Sequence, residues 1–423
     1  MPNSFRWRAA LVLLIAVVVR IGFVVAADRG VVRAEFNPDY LDYLSFAHNL
    51  ATGVGFAHAV NEQEPFSQPV AFSAWRAPLY PAFLAIAFQF SRNMFFLQAL
   101  QVAIAGLSLY FFLRLGFILF GEWPALIAGL IFAFYPPLIL YSADLGTEGL
   151  FLLLLMAVLL VFYSVGPEVS TIRAFALGVL VGLTALCRPA GLVLAPSLAL
   201  AILLRTRDWG FAVRRGIVLA LAVAMMVLPW TYRNYRLFHK AVLISSNGGA
   251  VLWAGAYLRV VPGSGFAAVT RSQHGDLPDL SETERDQYYY HQAFAILDHS
   301  PRRFGKMLLG NFAAMYALVP SGLYHSARTR WVYSVAYIPV LISGLIGFWL
   351  LRRRWRELSL LWVFILVATL FYCFWLGSIR YRVTAIEPLL MLGSGVFLCA
   401  LTRHDGNRRT EHASSSQPGD ARA

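Results

Sequence analysis

Residues 149–165, GLFLLLLMAVLLVFYSV, contain no charged side chain and fall within the length range of a membrane-spanning helix. The same apolar character extends over the whole chain of 423 residues, of which 59% are hydrophobic and 13% are charged, with a mean hydropathy of +0.62. In an ordinary soluble protein about a quarter of the residues are charged. So few charges cannot cover a soluble fold, and the composition therefore predicts an all-α integral membrane protein.

Ten apolar segments, counted outward from this stretch, qualify as membrane spans. Two further apolar stretches, 79–90 and 303–320, are too short or too interrupted to qualify, and we interpret them as juxtamembrane or re-entrant helices. The sequence thus predicts a multi-pass helical bundle of about 10–12 spans. The ten predicted spans lie near residues 8–27, 94–115, 122–141, 149–165, 173–188, 190–204, 216–233, 331–351, 358–377 and 383–402.

The net charge of +13 is concentrated in short gaps between the apolar segments. Arginine runs at 205–215 and 352–356, and a basic start to the chain, mark the cytoplasmic side by the positive-inside rule. This placement favours membrane topology over nucleic-acid binding as the reason for the charge. The protein is therefore predicted to lie in the inner membrane, with both termini in the cytoplasm. The loops 28–78 and 234–302 are predicted to face outward and to carry juxtamembrane helices.

The predicted domain organisation is simple. Residues 1–402 form one transmembrane domain, and the polar segment 403–423 is predicted to be a disordered cytoplasmic tail. The three cysteines lie in or beside apolar stretches and resemble small hydrophobic residues rather than a metal or disulfide set. The chain has no Walker A, dinucleotide-binding, DxD or HExxH motif, which excludes the soluble nucleotide and zinc chemistries that depend on them.

The first outer loop contains a helix start signal at Asn37, Pro38 and Asp39. The helix is predicted to run through Leu50 and to stop at Gly53. Because Asp39, Asp42 and Tyr43 are spaced i, i+3 and i+4, they share one face of that helix. One interpretation is a catalytic carboxylate, and the alternative is that Asp39 only complements the helix dipole.

Other polar residues lie at the predicted outer ends of spans. Arg76 precedes two prolines at the mouth of an apolar segment, where it either serves the site or reaches toward lipid headgroups. Asp144 and Glu148 lie in a short outer turn, and two acids there are costly unless they are solvated or paired. Glu148 either faces a cavity at the top of its span or belongs to a simple solvated turn.

Several arginines also lie at predicted outer ends of spans, against the positive-inside trend. A guanidinium group binds phosphate through two hydrogen bonds and stays charged at any accessible pH, so these residues would suit a lipid-linked phosphate. The alternative is structural ion pairing with Asp39, Asp144 or Glu148. Arg20 lies within a span, where helix–helix anchoring is the favoured role. The outer arginines are Arg188, Arg233, Arg236, Arg380 and Arg382.

In the second outer loop, Ser281 and Glu284 form a capping box. It predicts a helix that runs to about Asp298 and ends before Pro301. We interpret this helix as scaffold.

Taken in order, these motifs resemble the multi-pass GT-C glycosyltransferases of family 39, which include protein O-mannosyltransferases and the bacterial lipid A aminoarabinose transferases. The similarity extends from about residue 8 to residue 400, and the set is more specific than any one motif. The matching residues are Asp39, Tyr43, Ala47, Leu50, Gly53, Gly55 and Phe56, then Arg76 to Pro81, Thr147-Glu148, Gly182 to Pro189, Pro229 to Arg236, Asn247 to Gly249, Glu284 to Pro301, and Arg380 to Arg382.

The resemblance implies a polyprenyl-phosphate-sugar donor that is used on the outer face of the membrane, with the first-loop acid, here Asp39, as the catalytic base. Protein mannosyltransferases carry an adjacent Asp-Glu pair in this loop, whereas this chain has Asp39, Tyr40 and then Asp42. That departure leaves the protein-mannosyl interpretation and the identity of any second acid open.

The expected chemistry agrees with these residues. A phosphate leaves as an anion without a proton, so one carboxylate can suffice where glycosidases need two, and inversion at the anomeric carbon is expected. Arginines stabilise the departing charge. The scheme requires no cofactor, and it leaves a divalent metal open. The expected partners are the donor lipid, membrane lipids and an acceptor that is a lipid, a glycan or a protein.

The sequence therefore predicts a glycosyltransferase with an assigned set of residues. Two alternatives are a flippase or transporter of a lipid-linked sugar, and an O-antigen ligase-like enzyme with a pyrophosphate donor. The predicted catalytic and supporting acids are Asp39, Asp42 and Glu148; the predicted donor-phosphate ligands are Arg380, Arg382, Arg76 and Arg233; and the predicted substrate-binding residues are Tyr43, Asp144 and Tyr381.

Overall fold

The structure is a computed structural model that describes most of the chain, with the backbone alone described from residue 403 onward. The described residues are 2–29, 39–59, 64–68, 70–164, 166, 168–264, 280–320 and 326–415.

Helices dominate the described part of the chain, as the sequence predicts. Short 3₁₀ helices at Pro189–Val193 and Arg352–Arg354 supplement the α-helices. The α-helices are α1 (Asn3–Asp28), α2 (Tyr40–Ala51), α3 (Leu79–Phe88), α4 (Met94–Phe120), α5 (Glu122–Phe134), α6 (Pro136–Tyr141), α7 (Glu148–Tyr163), α8 (Thr171–Cys187), α9 (Leu194–Thr206), α10 (Trp209–Phe238), α11 (Gly248–Val260), α12 (Glu282–Leu297), α13 (Pro301–Met315), α14 (Ala327–Leu350), α15 (Ser359–Phe374), α16 (Ile379–Ala385) and α17 (Glu387–Ser415).

The described part of residues 28–78, which we call the first outer loop after its predicted side, also contains a two-stranded antiparallel sheet. Strand β1 (Ala57–Ala59) pairs with β2 (Val70–Phe72), with His58 opposite Ala71. The sheet follows α2 directly and leads the chain back toward Arg76.

The apolar helices identify a multi-pass membrane protein. Within the described ranges, five helical segments are long and apolar enough to cross a bilayer by length and composition, namely α1, α4, Pro189–Thr206, α10 and α14. A sixth is the bent pair α16 and α17, whose axes differ by 55°. The other predicted spans correspond to the shorter apolar helices α5, α7, α8 and α15, so every predicted span is helical. The two stretches interpreted as juxtamembrane or re-entrant are also helical, as α3 and α13.

Prolines divide the predicted span 122–141. Tyr135 is extended, with φ −73° and ψ 110°, and separates α5 from α6. Because proline disfavours the helical conformation of the residue before it, Pro136 accounts for the break. Helix α6 leads directly into the turn that carries Asp144 and precedes Glu148.

Close glycine contacts hold neighbouring helices together in the bundle. A methyl group added at Gly347 in α14 would overlap the carbonyl of Gly393 in α17, and one added at Gly178 in α8 would lie 2.5 Å from the Leu219 carbonyl in α10. Helix association in a membrane depends on such close backbone packing, since lipid is as apolar as the helix surfaces.

Arg20 anchors two helices within the bundle, as the sequence favours. Its side chain is 1% exposed and donates hydrogen bonds to the carbonyls of Phe132 (3.2 Å) and Ala133 (3.0 Å) at the end of α5. A cation at the carboxyl end of a helix satisfies carbonyls that have no partner within the helix.

Several helices are longer than the predicted spans, among them α4, α10 and α17. Helix α10 continues from the predicted span end at 233 to Phe238, and α17 continues past 402 to Ser415. The helical backbone of residues 403–415 therefore differs from the disorder expected there, and residues 416–423 lie outside the described residues. The predicted division into a domain and a tail stays a prediction.

In the second outer loop, the capping box of Ser281 and Glu284 is present, and α12 follows it as expected.

Candidate active site

Helix α2 brings the first-loop acids to the site. Asp39 directly precedes the helix and Asp42 lies in its first turn, whereas Asn37 and Pro38 lie outside the described residues. The helix ends at Ala51, and Gly53 adopts φ 82°, which agrees with the predicted stop. Tyr43 packs edge-on against Tyr80 of α3, with ring centroids 5.1 Å apart, and this contact fixes the face that carries the acids.

Arg76 joins the two acids of this face. It donates from Nη2 to Asp39 Oδ1 (2.7 Å) and from Nε and Nη2 to Asp42 Oδ2 (2.8 and 2.6 Å). Its guanidinium carbon also lies 5.4 Å from the centroid of the Tyr43 ring. Thus Asp39, Asp42 and Tyr43 do share one face, and Arg76 pairs with that face instead of extending toward lipid headgroups.

Arg380 extends the ion pairing from the first outer loop into the bundle. It donates from Nη1 to Asp39 Oδ2 (2.6 Å) and from Nε to Glu148 Oε1, and Arg188 donates to the same Glu148 oxygen (3.2 Å). Acids and arginines therefore alternate, and their formal charges sum to zero. We call this set the charge network; its members are Asp42, Arg76, Asp39, Arg380, Glu148 and Arg188.

The members of the charge network differ in their access to solvent. The side chains of Asp39 and Arg380 are 25% and 24% exposed, whereas that of Glu148 is 2% exposed. Asp39 can therefore meet a substrate, but Glu148 is enclosed. Since an unpaired buried carboxylate is costly, Glu148 depends on its two arginine partners.

The network also sets the acidity of Asp39. Burial by itself raises the pKa of this carboxyl group, but the guanidinium groups of Arg76 and Arg380 outweigh burial and hold the pKa well below its usual value. For neighbouring Tyr43, burial raises the pKa to about 12, which keeps the phenol neutral. The site therefore presents an ionised carboxylate between two cations.

Arg382 lies apart from the charge network, although it is two residues from Arg380. Its side chain is 3% exposed and donates to Glu387 Oε1 (2.5 Å) and to the carbonyl of Met315 (2.8 Å). The guanidinium carbon also lies 3.4 Å from the centroid of the Tyr337 ring. These contacts join α16 to α13, α14 and α17, so they do not support the predicted contact with the donor phosphate.

Arg233 likewise makes structural contacts. It donates to the carbonyls of Phe56 (2.9 Å) and Ser73 (2.7 Å), which flank the sheet of the first outer loop. Its guanidinium carbon lies 4.8 Å from the centroid of the Trp230 ring. Arg233 therefore fixes the first outer loop on α10. One of its contacts, Ser73, lies three residues before Arg76 in the sequence.

The predicted substrate-binding residues Asp144 and Tyr381 border the network. Asp144 is 5% exposed, and its carbonyl accepts a hydrogen bond from Gln101 Nε2 (2.9 Å). Tyr381 stacks on Tyr372 with ring centroids 4.5 Å apart, and Arg188 lies over the Tyr381 ring at 5.2 Å. Both residues border the enclosed, Glu148 side of the site.

Arg188 was predicted among the outer arginines, for phosphate binding or ion pairing, but was not included in the assigned site set, and Gln101 was not predicted at all. Gln101 is 1% exposed and donates to Tyr80 Oη (3.0 Å) as well as to the turn that precedes Glu148. A buried amide within an otherwise apolar span is the signal that would have identified it. Among the described residues, no group of three or more His, Cys, Asp or Glu side chains could hold a metal ion.

The charge network bears on the alternatives left open by the sequence. Of the outer arginines, Arg380 pairs with Asp39 and Glu148, and Arg188 pairs with Glu148, which is the structural alternative to phosphate binding. The partial exposure of Asp39 and Arg380 nevertheless leaves these two groups within reach of a ligand.

Part of the sequence matches a known protein family. Residues 75–232 match the protein family described as dolichyl-phosphate-mannose-protein mannosyltransferase. This segment contains Arg76, Glu148 and Arg188, whereas Asp39 and Arg380 lie outside it. A comparison of the sequence with curated proteins gives no match.

Solved structures resemble nearly the whole chain. The archaeal oligosaccharyltransferase AglB from Archaeoglobus fulgidus, in complex with an inhibitory peptide and a dolichol-phosphate, superposes with a TM-score of 0.57 at 14% identity, over 99% of this chain and 52% of AglB. The apo form of the Archaeoglobus fulgidus oligosaccharyltransferase gives a TM-score of 0.58 at 14% identity, over 97% of this chain and 52% of that one.

ArnT from Cupriavidus metallidurans bound to undecaprenyl phosphate matches with a TM-score of 0.45 at 16% identity, over 92% of this chain and 78% of ArnT. The chain spans about half the length of the oligosaccharyltransferases that it matches. The fold of this chain is that of the GT-C membrane glycosyltransferases.

Proposed function

We propose that the protein transfers a sugar from a polyprenyl-phosphate-linked donor to an acceptor hydroxyl group at the extracytoplasmic face of the inner membrane. The single observation that carries this proposal is the position of Asp39, a partly exposed carboxylate between Arg76 (2.7 Å) and Arg380 (2.6 Å). A base beside two phosphate-binding cations is what displacement of a phosphate from a sugar requires.

In the proposed reaction Asp39 accepts the proton of the acceptor hydroxyl group. The hydroxyl oxygen forms a bond to the anomeric carbon as the bond from that carbon to the phosphate oxygen breaks. The electron pair of the broken bond leaves with polyprenyl phosphate, whose added charge Arg380 and Arg76 stabilise. Attack from the side opposite the leaving group inverts the anomeric configuration.

The ion pairs of Asp39 suggest how donor binding prepares the base. A carboxylate with a strongly lowered pKa is a weak base. A donor phosphate competes with Asp39 for Arg380, and any loss of the Arg380 contact raises the pKa of Asp39 because one of the two cations that lower it has moved. In this scheme Asp39 becomes a better base when the donor is bound.

Glu148 and Asp42 act as supporting acids in this scheme. Glu148 binds Arg380 through Nε, and this contact leaves the Nη1 side of the guanidinium group directed at Asp39. Asp42 holds Arg76 in the same manner on the other side of Asp39. Their low exposure and engagement with arginines favour positioning over proton transfer.

The comparisons agree with a lipid-linked donor. The AglB structure contains a dolichol-phosphate, and the matched family is described by a dolichyl-phosphate-mannose donor. The acceptor is a lipid, a glycan or a protein, and the transferred sugar is a hexose or a pentose.

The proposal is tested with purified protein in lipid nanodiscs. The protein is incubated with polyprenyl-phosphate sugars and a panel of lipid, glycan and peptide acceptors, and polyprenyl phosphate release is measured. Acceptor-dependent release supports the proposal. In a parallel assay with the protein in sealed vesicles, movement of intact donor across the membrane without release would identify a flippase. Activity with diphosphate donors alone would identify the ligase-like alternative.

A further inference from the structure

Three side chains converge on a bare stretch of backbone in the second outer loop. The N–H of Gly249 in α11 donates to Asp286 Oδ1 in α12 (2.6 Å). A methyl group added at Gly248 would overlap the Tyr290 hydroxyl and would lie 3.6 Å from Cζ3 of Trp375. A carboxylate, a phenol and an indole thus surround two residues without side chains.

These side chains are only partly buried. Asp286, Tyr290 and Trp375 are each half-buried, and the two rings lie 6.3 Å apart at an angle of 67°. In the described part of the chain, the one hydrogen-bond donor to Asp286 is the Gly249 N–H, which leaves capacity on the carboxylate. Burial raises the pKa of Asp286 to about 6, as expected for a carboxylate with too few polar partners.

The group lies next to the charge network along the chain. Glu282, one turn before Asp286, accepts a hydrogen bond from the N–H of Ala74 (2.8 Å), two residues before Arg76. Trp375 precedes Arg380 by five residues, which an extended chain spans in at most about 17 Å. Both segments that carry the arginine partners of Asp39 therefore also border this group.

The chemistry of the group fits a sugar ring. The faces of a sugar present C–H groups, which pack on aromatic rings, while its edges present hydroxyl groups, which donate to a carboxylate and exchange hydrogen bonds with a phenol. Scaffold packing accounts for the rings, and capping of the first turn of α11 accounts for the one hydrogen bond to Asp286. Neither requires the remaining acceptor capacity of this half-buried carboxylate, which has no donor among the described residues.

We propose that Asp286, Tyr290 and Trp375 form a sugar-binding subsite beside the charge network. Trp375 and Tyr290 present ring surfaces to the sugar, and Asp286 accepts hydrogen bonds from its hydroxyl groups. This inference deepens the proposed function, on which it rests for the source of the sugar. The sugar belongs either to the donor or to a glycan acceptor, and the two sources give different binding behaviour.

The test measures binding to the full-length protein in nanodiscs, without catalysis. The probes are a polyprenyl phosphate, the same lipid carrying a hexose or a pentose, and the corresponding methyl glycosides. The variants are Trp375→Leu, Asp286→Asn and Tyr290→Phe, of which Asp286→Asn keeps an acceptor for Gly249. The matched control is Trp209→Leu, because that ring is 71% exposed and lies about 36 Å from Arg233 along α10.

If the donor sugar occupies the subsite, wild-type protein binds the sugar-bearing lipid more tightly than polyprenyl phosphate. Trp375→Leu then lowers the affinity for the sugar-bearing lipid about tenfold and leaves polyprenyl phosphate unaffected. If an acceptor sugar occupies the subsite, Trp375→Leu lowers the affinity for a methyl glycoside about tenfold, and this variant binds both lipids like wild type. In either case Asp286→Asn and Tyr290→Phe weaken the same probe, and Trp209→Leu weakens none.

The inference is overturned if wild-type protein shows no sugar-dependent binding, or if all three subsite variants bind every probe like wild type. Failure of the proposed function gives a different result. Protein that binds a methyl glycoside through Trp375 but binds neither lipid would contradict the proposed donor and retain the subsite.

Discussion

Asp39 and Arg380 are separated by 341 positions in the sequence, yet Arg380 Nη1 lies 2.6 Å from Asp39 Oδ2. One residue precedes the first helix of the outer loop, and the other lies in the short helix α16 that begins the bent pair near the C-terminus. Their contact joins the proposed base to the proposed phosphate ligand.

Asp39→Asn should abolish sugar transfer while leaving membrane insertion intact, because an amide cannot accept the proton of the acceptor. We expect turnover to fall at least about 100-fold, as measured by polyprenyl phosphate release. Asp42→Asn is the matched control, and it should have a smaller effect. Wild-type turnover in Asp39→Asn would show that Asp39 is not the base.

Arg380→Lys should reduce activity almost as much as Arg380→Ala. Arg380 contacts Glu148 through Nε and Asp39 through Nη1, and an ammonium group cannot reproduce two such separated donors. We expect kcat/KM for the donor to fall about 100-fold in Arg380→Ala. Steady-state kinetics with varied donor concentration provides the measurement. Unchanged kinetics in both variants would assign Arg380 a structural role.

Arg382→Ala should destabilise the protein instead of changing its kinetics selectively. The substitution leaves Glu387, with a side chain 0% exposed, as a buried carboxylate without its cation. Loss of one partner of a buried ion pair costs about 3–5 kcal/mol. Thermal unfolding in nanodiscs should show a much lower Tm for Arg382→Ala than for Arg380→Ala. Equal Tm values with a selective loss of donor affinity would restore Arg382 to the phosphate site.

Gly146→Ala should lower activity by moving Glu148. The added methyl group would overlap Glu148 Oε2, and the carboxylate that holds Arg380 would have to shift. Gly305→Ala is the matched control, because a methyl group at that position would meet no described atom within 4 Å outside its own stretch of helix. We expect transfer to fall in Gly146→Ala alone, measured at saturating donor. Full activity in Gly146→Ala would mean that the position of Glu148 is unimportant.

The contribution of Asp286 to the free energy of unfolding should decrease as pH rises. Its pKa is raised from 3.8 to about 6, mainly by burial, so between these values the folded protein binds more protons than the unfolded chain. The contribution to stability is complete below about pH 4 and is lost as pH rises through 6. Glu282 and Tyr290 are the titratable groups that face Asp286.

Comparison of unfolding profiles isolates this effect. Asp286→Asn cannot ionise, so its Tm relative to wild type should increase between pH 4 and pH 7 in nanodiscs. A constant difference in Tm across that range would contradict the raised pKa.

Much of the fold could be predicted from the sequence, because its determinants are local. Apolar segments of span length form helices in lipid, where each backbone group must find its partner within the segment. The capping box of Ser281 and Glu284 and the stop at Gly53 depend on residues within a few positions of each other, and both are present. Arg76 and Glu148 were predicted from their places at the ends of apolar segments, and Asp39 from its helix start signal and the family resemblance.

Only the tertiary structure decided which of these residues meet. Arg380 and Arg382 are equivalent in the sequence, but residues two apart on a helix point to nearly opposite sides. Arg380 therefore joins Asp39 and Glu148, whereas Arg382 is directed at Glu387. Arg188 and Gln101 gained their roles in the same way, from the packing of distant helices. Local hydrogen bonding and hydrophobicity fix each helix, but ion pairing between helices depends on how the whole bundle packs.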